Sequence, residues 1–306
     1  MSDWIYRARL KIIPPNKIAA AQKFFSVLGG FFGGGSASSL TKLVASLVIL
    51  AECLGCVLFD TPVTPSGECL DLAGYELVLS DEFEGDRLDT DIWSYRANGP
   101  RRCGFNLGDQ NSVENGKLVM TAEYKDGVYG EGWYSAMIRT KEEFTYGYFE
   151  IRCKIGDGDG FWSAFWLNSR GMESAEASDG GKGGAEIDIF ESKGAAENNS
   201  VYSTVHAGGY GDGLTSRTVG RYKVKDIHSK YNTYGLKWTP DEYIFYINGV
   251  ESGRLSEAVS QFFEYVIISL EHPSAAPSDT DLVVKYYIDY VRVYQLPDQA
   301  SKLKLD

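Results

Sequence analysis

Residues Glu186 to Glu191 read EIDIFE, inside the longer run GGAEIDIFESKG, and set three carboxylates among Ile187, Ile189 and Phe190. On a regular strand side chains alternate between faces, so Glu186 and Asp188 share one face and Ile187 and Ile189 the other. Continuing that register sends Glu191 to the apolar side, where an isolated carboxylate is costly to bury. One extra residue around Ile189–Phe190, a β-bulge, removes the conflict by returning Glu191 to the face of Glu186 and Asp188. The stretch therefore predicts a bulged strand with three acids on its open face.

The surrounding sequence extends that strand into a sheet protein. YGYFEIRCKI alternates, with Phe149, Ile151, Cys153 and Ile155 on one side and Glu150, Arg152 and Lys154 on the other. YNTYGLKWTPDEYIFYINGVESGR reads as strand, turn, strand, an Asn248-Gly249 hairpin turn and a further strand. YYIDYVRVYQ alternates again, and no long 3.6-residue period interrupts the region. Among 306 residues, 34 glycines, 20 tyrosines and 15 phenylalanines suit short strands joined by tight turns. The pattern predicts an all-β sandwich of antiparallel strands over 76–296, with a tail at 297–306.

Residues 1–75 differ in character. Arg7, Arg9 and Lys11 precede a Gly- and Ser-rich stretch, and then comes LTKLVASLVILAECLGCVLF. The apolar segment 43–59 reads as a signal or membrane anchor, or as an amphipathic appendage, with Gly33-Gly34-Gly35 as linker. A secreted or cell-surface location, with membrane contact only through this segment, is the expectation. A net charge of −12 argues against nucleic-acid partners. Five scattered cysteines give no disulfide framework, and the lone pair Cys53 and Cys56 lacks the second pair a zinc site needs. With three histidines and no GxSxG turn, His-rich metal sites and serine-hydrolase triads have no material.

Two glutamates with an aspartate between them suit glycoside hydrolysis, one as nucleophile and one protonating the leaving oxygen. Five residues of ideal strand span roughly 16 Å, against about 5–5.5 Å between carboxyls in retaining enzymes. A bulge and inward-leaning side chains shorten that gap, so spacing alone leaves the stereochemical outcome open. Asp188 would hydrogen-bond the nucleophile and help keep the pair in different protonation states. Upstream, GDGDGFWSAFWLNS puts Trp162, Ala164 and Trp166 on one face and Phe161, Ser163, Phe165 and Leu167 on the other. The two tryptophans are either a floor for sugar rings or ordinary core. Tyr202, Thr204 and His206 share a face in VYSTVHAGG, and His206 is either structural or part of the site.

EIDIFE with FWSAFW upstream, STVH downstream and the WTPDEYIFYING and DYVRVYQ segments resembles glycoside hydrolase family 16, from about Tyr75 to Leu296. The resemblance implies a concanavalin A-like jelly roll of two antiparallel sheets with an open concave cleft, acting on polysaccharide as a monomer. It implies a double-displacement, retaining endo-hydrolase of β-1,3- or mixed β-1,3/1,4-glucan that needs no cofactor for catalysis. By resemblance Glu186 is the nucleophile, Asp188 the assisting acid, Glu191 the acid/base, and His206 the histidine beside it. Trp162 and Trp166 match the family's WPAFW segment, with Ser163 in place of proline. Asn106 and Trp133 are further expected sugar contacts. Arg101 and Arg102, in NGPRRCGFN, either pair locally or touch an anionic sugar, as in an algal galactan (agarose, porphyran or carrageenan). The resemblance also implies a structural calcium held by Glu82 and Asp289. A non-catalytic, lectin-like sandwich is the remaining alternative.

Overall fold

The bulged strand lies in the interior of a sheet. In the computed structural model, which describes residues 62–173, 179–194, 199–299 and 301–304, almost all regular structure is antiparallel strand. The apolar segment 43–59 lies outside the described residues, among which no helix is long and apolar enough to cross a membrane.

The site-bearing sheet runs from β12 (Thr215–Lys223) through β11 (Ser200–Ala207), β10 (Glu186–Ser192), β9 (Trp162–Asn168) and β16 (Glu264–Glu271) to β7 (Gly130–Thr145). Beyond β7 it ends on β2 (Trp93–Tyr95) and β18 (Ser301–Lys304). The second sheet runs from β15 (Val250–Leu255) through β14 (Tyr243–Ile247), β13 (Asn232–Trp238) and β8 (Gly147–Lys154) to β17 (Val284–Gln295). The far side of β17 carries β1 (Glu76–Asp81) and β6 (Leu118–Gly127), and β5 (Asn111–Val113) closes that edge. β3 (Gly99–Arg101) and β4 (Gly104–Asn106) form a small hairpin that joins β7 in parallel. The antiparallel sandwich is as expected.

Alternation builds the core between the sheets. Phe149, Ile151 and Cys153 of β8 face Phe165 and Leu167 of β9, Ile187 of β10 and Val266, Ile268 and Leu270 of β16 within one continuous apolar layer. A second, smaller cluster lies on the opposite face of the site-bearing sheet. It contains Met137, Ala164, Trp166, Tyr265 and Ile267, with Trp162 against it. The two tryptophans of FWSAFW therefore face away from the core, as their spacing from Phe165 and Leu167 requires.

Both ends of the sandwich extend past the expected boundaries. Val63 bridges Tyr222, Cys69 bridges Val250, and Leu70, Leu72 and Tyr75 pack on Tyr148, Ile244 and Tyr246. The chain thus joins the sandwich before residue 76, at Val63 on β12 of the site-bearing sheet and from Cys69 onward on the second sheet. The tail, in turn, supplies β18, which pairs Ser301–Lys304 with Thr145–Glu142.

Candidate active site

Strand β10 is bulged where the sequence requires it. Asp188 pairs with Thr204 and Glu191 with Tyr202, so three steps along β10 oppose two along β11. On the other side Asp188 pairs with Trp166 and Phe190 with Phe165, so two steps oppose one. Ile189 and Phe190, consecutive in sequence, both enter the main core, which a straight strand does not allow. The Ser203 hydroxyl donates to the Ile189 carbonyl at 2.8 Å, satisfying a buried acceptor at the irregularity.

The register then sets each acid's neighbours. Glu186 lies opposite His206, Asp188 between Thr204 and Trp166, and Glu191 between Tyr202 and Ala164. Ala164, the small residue between Trp162 and Trp166, is thus the one on β9 that stands opposite Glu191. His206 Nε2 is 3.2 Å from Asp188 Oδ2 and 3.7 Å from Glu186 Oε1, while its Nδ1 is 2.7 Å from Ser216 Oγ. Trp166 donates through Nε1 to Ser269 Oγ at 3.1 Å, which fixes its ring. Tyr210, at the tip of the β11–β12 hairpin, donates to Glu186 Oε2.

Electrostatics separates the carboxyls. Burial, and then the charge of Glu186, push the Asp188 carboxyl well above its ordinary range. Burial, then Asp188 and Glu186, do the same to Glu191, while His206 and Lys193 pull it back. Glu191 is thereby held as an acid in the apolar neighbourhood a proton donor needs. Among the described residues the one group of three that could offer ligands to a cation is Glu186, Asp188 and His206, which is this same site.

Other expected positions fall differently. Arg101 grips both oxygens of Glu271, at 3.0 and 2.7 Å, and Arg102 adds a contact at 3.1 Å. Of the two, Arg102 reaches the floor, its guanidinium carbon 4.8 Å from the Trp162 ring centre. Lys193 Nζ also lies over Trp162, at 4.3 Å. Trp133 and Asn106 do not line the open face, each being 1% exposed. Trp133 packs in the core on Phe161, at 5.1 Å between ring centres, because β7 changes partner there: Gly130–Tyr134 pair with β6 and Ala136–Phe144 with β16. That change breaks the alternation linking Trp133 to Met137, which belongs to the small cluster on the opposite face of the sheet. Asn106 is closed off in β4, its amide oxygen and nitrogen without protein partners.

Glu82 and Asp289 are already neutralised. Arg292 binds both oxygens of Glu82, at 2.8 and 3.0 Å, while Arg152 and, at 3.6 Å, Lys117 hold Asp289. Carboxylates engaged by three cations are a poor match to a hard dication that takes six to eight oxygens.

Two residues of the site escaped the sequence reading. Lys193 had a signal, since it stands two places beyond Glu191 and alternation puts it on the same face. Tyr210 had none, because its direction depends on the glycine turns around it.

A jelly-roll sandwich whose site-bearing sheet presents carboxylates beside tryptophans is the class that fold and site define. The chain belongs to the glycosyl hydrolases family 16, whose pattern matches residues 102–274. It is 29% identical over 246 residues to a keratan-sulfate endo-1,4-β-galactosidase of Sphingobacterium multivorum, covering 73% of this chain and 56% of that protein. It is 31% identical over 190 residues to a β-glucanase of Rhodothermus marinus, covering 57% and 63%. The chain thus spans little more than half the length of these curated relatives. Among solved structures, a laminarinase from Flavobacterium sp. UMI-01 superposes with a TM-score of 0.59 at 27% identity, covering 72% of this chain and 100% of that one.

Proposed function

We propose that the protein is a retaining, endo-acting glycoside hydrolase that cleaves β-1,3- or mixed β-1,3/1,4-glucan by double displacement. The reading rests on one observation, the β10 bulge that returns Glu191 to the face of Glu186 and Asp188. In the first step a Glu186 oxygen attacks the anomeric carbon as Glu191 protonates the departing glycosidic oxygen. In the second, Glu191 as carboxylate takes a proton from water, which attacks the same carbon and returns the bonding pair to Glu186. Asp188, close to His206, lies between the two and supports their opposite protonation states. Trp162, half-buried beneath Arg102 and Lys193, and the buried Trp166 supply the apolar floor beside the acids.

Arg101 and Arg102 pair locally with the Glu271 carboxylate, and the glucan reading is kept ahead of a sulfated galactan. A polymer of this kind is met outside the cell, and segment 43–59 would deliver or anchor the enzyme there.

The test is reducing-sugar release from laminarin, lichenan, agarose, porphyran and keratan sulfate, with NMR of the first-formed anomer. Wild type is expected to act on the two glucans with retention, and Glu186→Gln to lose at least about 10³-fold in kcat. Full activity in that variant would remove the nucleophile assignment, and turnover confined to the galactans would replace the substrate.

A further inference from the structure

Asn168, at the end of β9, is fully buried beside the active strand. Its side-chain oxygen accepts the backbone N–H of Ser169 at 2.8 Å, which fixes the orientation of the amide. The amide nitrogen is thereby aimed outward, and it donates to the Tyr210 hydroxyl at 3.0 Å. Because that hydroxyl accepts from Asn168, its own proton is directed away, onto Glu186 Oε2. The loop holding Tyr210 is preorganised. Register runs to Ala207–Thr215 at its base, and the Leu214 N–H donates to the Gly211 carbonyl at 3.1 Å. Gly208, at φ +88°, allows the close crossing, since a Cβ there would lie 2.2 Å from the Gly213 carbonyl oxygen.

We propose that Tyr210, oriented by Asn168, is a positioning residue that acts through Glu186, binding one carboxylate oxygen and leaving Oε1 to form the glycosyl bond. The inference rests on the double-displacement reading above. Its effect on the two steps is unequal. When the bond between Oε1 and the anomeric carbon breaks, negative charge returns to the carboxylate, and a donor already in place stabilises it. In the first step the same hydrogen bond stabilises the attacking carboxylate and so gives no acceleration. Burial and the adjacent Glu186 hold the phenol protonated far into the alkaline range, so it remains a donor at any working pH.

Tyr210→Phe keeps the ring and removes the proton. Deglycosylation is expected to slow, so kcat falls about tenfold while KM falls with it and kcat/KM at the optimum is preserved. Intact mass after rapid quench should detect glycosyl-enzyme accumulating in the variant. Asn168→Ala, checked by thermal unfolding, should change kcat in the same direction but less. A kcat/KM that falls as far as kcat, or the absence of any accumulated glycosyl-enzyme, overturns the proposal. Failure of the double-displacement reading would look different, as Glu186→Gln would then retain activity whatever Tyr210→Phe does.

Discussion

In the double displacement proposed above, Glu191 carries a proton at neutral pH, gives it up in one step and recovers it in the next. Burial and two neighbouring acids raise its affinity for that proton, and Lys193, two residues on, opposes them. Lys193 is held above Trp162 on the open face, so its ammonium is a fixed local charge. The sign of its effect follows directly. A cation favours the ionised carboxylate, so removing it leaves Glu191 protonated to higher pH. Lys193→Met is expected to move the alkaline limb of kcat/KM upward by on the order of half a pH unit, and added salt should shrink the wild-type difference. An alkaline limb that stays put, or moves down, would mean that another group donates the proton.

At the scale of the element, the site is a property of strand β10 more than of any one side chain. The bulge was legible because alternation produced a local contradiction, an acid assigned to the core, that a single extra residue resolves. The facing tryptophans were legible for the same reason, since Phe165 and Leu167 fix the parity of β9. Trp133 was misplaced because β7 exchanges β6 for β16 as partner, and period-two reasoning cannot see a change of partner. Tyr210 sits on a turn whose glycine φ angles, not a period, aim the side chain. The edge pairings of Val63 and of Ser301–Lys304 were hidden because they depend on strands far away in sequence. The bulge also makes a stability prediction. Ser203 satisfies the Ile189 carbonyl in a buried setting, so Ser203→Ala leaves that acceptor unpaired. A loss of about 1–3 kcal/mol is expected, read as a fall in Tm of roughly 2–4 °C per kcal/mol. An unchanged Tm would show that the carbonyl does not depend on the hydroxyl.

Across the whole molecule, the active strand is anchored by a carboxyl the proposed chemistry does not use. Glu264 begins β16, is fully buried, and accepts the backbone N–H of Ala185 at 3.0 Å, one residue before Glu186. Burial, and lesser contributions from Glu143 and Glu186, raise it well above the usual carboxylate range. Glu143 is itself raised by burial, and Arg170, 3.5 Å away, only partly offsets it. A carboxyl raised in the folded state contributes stability that is complete below its unfolded value of about 4.3 and is lost as pH climbs through the folded value. The protein should therefore weaken toward alkaline pH, and the loss should originate beside the active strand. Glu264→Gln keeps the oxygen that Ala185 needs and abolishes the ionisation. Its Tm should match wild type near pH 4 and exceed it by several degrees near pH 9, measured by calorimetry across that range. A variant no more stable than wild type at pH 9 would mean that Glu264 ionises without strain. The alkaline weakness would then have to arise elsewhere, with Glu143 the next group to replace.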